Sequence, residues 1–179
     1  YSPGSTADPA RITNTRDHQW FRLKATAEHY FSRGWYRPGY YAEAVFSNQP
    51  VFSNYFGTII NAPAFFPLQD SKTLILENFR AFNYVAFGVR NVFVIKNWLD
   101  FRLEGYAFKS LEEIMEGQNQ EALEKTDLTQ LFFAASSSLV YHSPVGPIAL
   151  NVNYYNDQEN EFGVLLHVGF LLFNKHSLE

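Results

Sequence analysis

The chain has 179 residues, 18 Asp and Glu against 14 Lys and Arg, a formal net charge of -4 and no cysteine. The length suits one domain across 1–179, no basic excess points to nucleic acid, and the lack of cysteine excludes disulfides, thiolate metal ligands and cysteine nucleophiles. With 18 Phe, 11 Tyr and 3 Trp the composition favours strands over helices, and no run approaches the roughly 18 to 20 apolar residues of a membrane helix.

Residues 1–17 open with YSPGSTADP, which has no charged-then-apolar leader and reads as a loop or flexible start. From Trp20 to Phe31 the chain alternates. Phe21, Leu23, Ala25, Ala27 and Phe31, with His29, oppose Arg22, Lys24, Thr26, Glu28 and Tyr30. Less regular strands are expected near 39–47 and 79–95. From Leu99 to Phe108, Leu99, Phe101, Leu103, Gly105 and Ala107 oppose Asp100, Arg102, Glu104, Tyr106 and Phe108. A strand near 128–142 follows, its phase blurred by Ser136, Ser137 and Ser138. Gly146 to Asn156 is the clearest of all. Ile148, Leu150, Val152 and Tyr154 share one face, and Ala149, Asn151, Asn153 and Tyr155 share the other. Finally Phe162, Val164, Leu166, Val168, Phe170 and Leu172 oppose Gly163, His167 and Gly169.

Several of these strands run near the roughly 9 to 11 residues that cross a bilayer at a tilt, and their charges gather on one face, as a hydrated lumen allows. Short and longer connections alternate. If the last strand ends in the periplasm, the long loops fall outside and the tight turns, including Ser-Pro-Val-Gly at 143–146, fall inside. The longer connection at 110–125 is polar and rich in helix formers, so a short external helix is expected there. The expected fold is all-β: an antiparallel transmembrane β-barrel in the bacterial outer membrane. Seven strands are legible, and single-chain bacterial barrels use an even number. The chain therefore reads as the C-terminal portion, about 7–8 strands, of a larger barrel. Alternatively, Tyr55 to Leu76 contains an eighth strand and the barrel closes alone. Ile148, Leu150, Val152, Tyr154, Phe162, Val164, Leu166, Val168 and Phe170 are the expected lipid-facing residues. Trp20, Trp35, Tyr36, Tyr40, Tyr41 and Trp98 lie near strand ends, where interfacial aromatic girdles form. His18, His29, His142, His167 and His176 have no metal-ligand spacing, and Glu112, Glu113 and Glu116 read as a solvated loop.

The runs SSSLVYHSPVGPIALNVNYYN and FGVLLHVGFLLFNK resemble the final strands of Bacteroidetes-type patatin-like phospholipases, whose C-terminal barrel is similar to the BamA-type outer-membrane superfamily. SNYFGTIINAPAFFPLQDSKTLILENFRAFNYVAFGVRNVF resembles the long loop and following strand of that barrel. The resemblance covers roughly residues 18–175. It implies a larger protein with an N-terminal lipase domain carrying a Gly-x-Ser-x-Gly nucleophile elbow. This chain contains no such motif, so no catalytic residue and no cofactor is assigned. The resemblance also implies an Arg on an inward-folded loop set against an acidic residue of the lumen wall. Arg80 and Glu104 are the candidates, although Ala81 follows Arg80 where the family has Arg-Gly-Tyr.

The expected role is to anchor a patatin-like phospholipase, and to translocate or display it, while the full protein hydrolyses lipid acyl esters. Its partners would be outer-membrane lipid, the N-terminal domains of the same protein and the barrel-assembly machinery during insertion. Two other readings stay open: a non-enzymatic outer-membrane channel or insertase, and a soluble β-sandwich or lipocalin-like binder.

Overall fold

A computed structural model describes residues 19–32, 34–52, 54–118, 120–125, 130–157 and 161–169. The expected start at 1–17, His18, His176, Phe170 and Leu172 lie outside the described residues.

The alternating segments form strands β1 (Arg22–Tyr30), β2 (Tyr36–Ser47), β3 (Tyr84–Lys96) and β4 (Leu99–Ser110). A small hairpin of β5 (Glu113–Glu116) and β6 (Ala122–Lys125) follows. The chain then returns to the main sheet with β7 (Phe132–Ser143), β8 (Gly146–Tyr155) and β9 (Phe162–Val168). The main sheet has seven strands in the order β1-β2-β3-β4-β7-β8-β9. Every neighbouring pair is antiparallel. The tight turns at 97–98 and 144–145 and the connection at 31–35 lie at one end of the sheet, and the connections at 48–83, 111–131 and 156–161 at the other. A meander of seven strands leaves β1 and β9 pointing the same way at its two edges.

The 48–83 connection folds back over one face of the sheet. It begins with helix α1 (Tyr55–Asn61), whose first turn is capped by Asn54: its Oδ1 accepts the Gly57 N–H at 2.8 Å. Residues 64–80 then form a tongue. The tongue is closed at its base by an Ala64–Arg80 bridge, with Phe65 N–H donating to the Phe79 carbonyl at 2.9 Å. Phe65, Leu68, Leu76 and Phe79 of the tongue are buried among Val45, Tyr84, Tyr106, Phe108, Ala134 and Tyr155. Those six come from β2, β3, β4, β7 and β8 in turn, so one tongue touches five successive strands and the sheet is concave around it. Phe65 stacks on Phe108 with ring centroids 5.8 Å apart, and Phe79 meets Tyr155 edge-on at 6.2 Å. Each buried ring contributes about 1.5 to 3 kcal/mol over exposure, which makes the tongue the core of the molecule.

Three expectations need correction. The polar 110–125 stretch is a β-hairpin rather than a helix. Its Ile114 and Ala122 pack on Ile59, Ala62 and Phe82, a tertiary contact that overrides helix propensity. Tyr55 to Leu76 holds a helix and a 3-10 turn at Asp70–Lys72, so among the described residues it supplies no eighth strand. The strand expected from 79 begins at Tyr84, because Glu77–Phe79 forms a second 3-10 turn.

Candidate functional site

The register divides the sheet into two chemically different faces. Leu23, Ala25, Ala27, Tyr40, Phe46, Val85, Phe87, Phe101, Leu103, Phe133, Leu139, Leu150 and Val164 share the convex face. It is uncovered: Leu23 is 63% exposed, Phe87 53%, Leu150 47% and Val164 73%. Of the charged residues on the seven strands of the main sheet, only Lys109 and Lys96 (where the register shifts by the turn) do not fall on the concave face by register. Ile148, Leu150, Val152, Tyr154, Phe162, Val164, Leu166 and Val168 all sit together on the convex face.

The concave face carries a polar network beside the tongue. Arg90 of β3 is its centre. Its Nε donates to the Tyr106 hydroxyl at 2.6 Å, and its Nη1 donates to Glu28 at 3.0 Å and to Tyr30 at 3.3 Å. Tyr106 in turn donates to Glu104 at 2.7 Å, and that carboxylate lies 3.9 Å from Arg90 Nε. The guanidinium also stands over the Tyr41 ring, 4.8 Å from its centroid. Two glycines make room for this arrangement. A Cβ on Gly88 would overlap the Tyr106 ring, and a Cβ on Gly39 would come 2.8 Å from the Tyr30 ring. Each tyrosine thus lies over the glycine opposite it on the neighbouring strand.

Other pairs extend the network along the wall. Lys24 Nζ meets Glu43 at 2.8 Å, and Glu43 also accepts the Tyr84 hydroxyl at 2.6 Å. His142 Nε2 donates to Asp100 at 2.7 Å, and Arg102 stands 3.7 Å from the same carboxylate. Ser136 donates to Asn153 at 2.6 Å. The long connection is tied to this wall at both sides: Arg22 of β1 donates to the Asn61 carbonyl at the end of α1 at 3.3 Å, and Tyr155 of β8 donates to Asp70 of the tongue. At the long-loop end, burial and the Glu77 carboxylate push the Tyr55 phenol well above its ordinary value. It therefore stays protonated and donates to Glu77 at 2.9 Å.

The expected Arg80–Glu104 pair is not formed. Arg80 donates to the carbonyls of Ile59 and Ile60, both at 3.2 Å, and so caps the end of α1. Burial pulls its guanidinium below the usual value. Glu104 is served instead by Arg90, a residue of the wall itself. Arg90 lies directly across from Glu104 in the β3–β4 register and shares the concave face with Tyr84, Ala86 and Gly88, whereas Arg80 is held at the end of α1. Tyr41 also departs from expectation: it packs on Phe65 in the interior and belongs to no girdle. Trp35 and Trp98, by contrast, are exposed together at the short-turn end.

Between the tongue and the short-turn end the concave face leaves a cavity of about 520 Å³. Its floor is Ser136, Ser138, Asn151 and Asn153, and its cations are Lys72, Arg90 and Arg102. The arrangement can hold the tongue in place and offer hydrogen bonds and positive charge to a polar solute.

Comparison with protein-family models, with curated proteins and with solved structures finds no match to this chain.

Proposed function

We propose that this chain is a membrane-embedded wall of an outer-membrane β-barrel whose lumen is plugged by its own 64–80 tongue, and that it anchors a patatin-like phospholipase. The distribution of charge between the two faces carries this reading. A soluble sandwich buries its apolar face and wets its charged one. Here the tongue packs on the concave face that carries the charges, and the apolar face is bare across all seven strands. An exposed apolar surface of this extent marks a lipid or protein contact, and alternation of apolar-out with polar-in is what a transmembrane strand requires. The strands of 9 to 13 residues from β1 to β4 have the length for it. The phospholipase rests on the resemblance of the 136–156 and 162–175 runs and of the long loop.

Fractionation of cells expressing the full precursor tests the reading. The expected outcome is recovery in the outer membrane, release only by detergent, and a band that migrates faster before boiling than after. A freely soluble monomer would sink the barrel, whereas an outer-membrane protein without lipase activity would leave the barrel and remove the phospholipase.

A further inference from the structure

The cavity beside the tongue is lined by more cations than carboxylates. Its lining holds Lys72, Arg90 and Arg102 against one carboxylate, Glu104, together with His142 and His167. Arg90 is neutralised by Glu28 and Glu104. Among the described residues Arg102 pairs with Asp100 alone, 3.7 Å away, and that carboxylate also accepts from His142. The Arg102 Nε is buried and has no hydrogen-bond partner among the described residues. Lys72 enters from the opposite side, on the tongue, and forms no ion pair among the described residues. Two cations from two elements, Arg102 of β4 and Lys72 of the tongue, therefore line one half-open cavity in a chain whose net charge is -4. An unpaired buried donor costs about 1 to 3 kcal/mol, and more when charged.

We propose that this cavity binds a phosphate-bearing ligand, with its phosphate between Arg102 and Lys72. The planar guanidinium presents paired N–H donors to an oxyanion, and the ammonium adds a point charge. At about 520 Å³ the space exceeds what a bare phosphate needs and falls within the range of small-molecule sites. The Ser138 and Asn151 side chains offer hydrogen bonds to a hydroxylated organic group, so the class is a small phosphomonoester. Because Lys72 belongs to the tongue, the site is complete only when the tongue is seated. The inference needs the concave face alone and does not depend on the membrane reading.

The test is calorimetric titration of the purified full chain, in detergent if detergent is required, at low ionic strength. The probes are inorganic phosphate, glycerol 3-phosphate and dihexanoyl phosphatidic acid, with glycerol as the uncharged control. Phosphate-bearing probes should bind and glycerol should not. Binding of all three assigns a soluble phosphate compound; binding of the phosphatidic acid alone assigns a lipid headgroup. The double variant Lys72→Gln/Arg102→Gln should weaken binding at least about tenfold, the loss of one charge-assisted hydrogen bond. Ser138→Asp, which sets a carboxylate directly across from Arg102, should do the same should the double variant fail to fold. Lys109→Gln on the convex face should change nothing. Binding by none of the three probes, or binding that Ser138→Asp leaves intact, would overturn the proposal.

Discussion

Arg90 is surrounded by Tyr30, Tyr41, Tyr106, Glu28 and Glu104, side chains from β1, β2 and β4. Its bonds thus tie the edge strand to the centre of the sheet. Removing it leaves Glu104 facing the interior without its cation. Arg90→Met should lower stability by about 2 kcal/mol, within the range for hydrogen bonds to charged groups, and Arg90→Lys should recover only part, since a single ammonium cannot serve both Tyr106 and Glu28. The urea midpoint for loss of the compact gel band would report both. Gly88→Ala acts on the same centre by a different route. The added methyl occupies the space of the Tyr106 ring, so Tyr106 must leave Arg90 or β3 must shift. An overpacking cost of about 1 to 3 kcal/mol is expected; an unchanged midpoint would show that the ring has somewhere else to go.

At the scale of elements, the strands were legible because apolar alternation has a period of two and is most regular in β1, β4, β8 and β9. The interior was much less so. The β3–β4 register that sets Arg90 across from Glu104, and the folding back of α1 that holds Arg80, have no sequence mark. The β5–β6 hairpin was hidden because Glu113, Met115 and Glu116 are good helix formers, and only the docking of Ile114 and Ala122 on α1 makes them a strand pair. Helix α1 did leave a trace, the Asn54 cap, but seven residues are too few for a helical period to stand out. The tongue is the element on which the fold depends. Phe79 is fully buried between β4, β7 and β8. Phe79→Ala should cost about 3 to 5 kcal/mol and should loosen the tongue before the sheet. Faster proteolysis within 64–80, with the strands still protected, is the expected pattern.

For the whole molecule, the two faces set opposite rules for the same substitution. On β8, Val152→Arg would place a cation on the bare convex face, at a cost of about 2 to 4 kcal/mol near a bilayer midplane. Asn151→Arg, one residue away, would point into the polar cavity and should assemble normally. The edges carry a further demand. Unpaired backbone groups in hydrocarbon cost several kcal/mol each, and β1 and β9 run the same way. They cannot close antiparallel onto each other, so an odd number of further strands is needed to complete an antiparallel wall. The chain has no cysteine, which makes a scan of β8 direct. Single cysteines at each position from 148 to 155 would carry a spin label in reconstituted membranes, and accessibility to oxygen and to a water-soluble nickel chelate would be compared. Labels at Ile148, Leu150, Val152 and Tyr154 should favour oxygen, and labels at Ala149, Asn151 and Asn153 should not, giving a period of two in phase with the convex face. Uniform access of the nickel chelate, or the opposite phase, would contradict a lipid-facing convex surface.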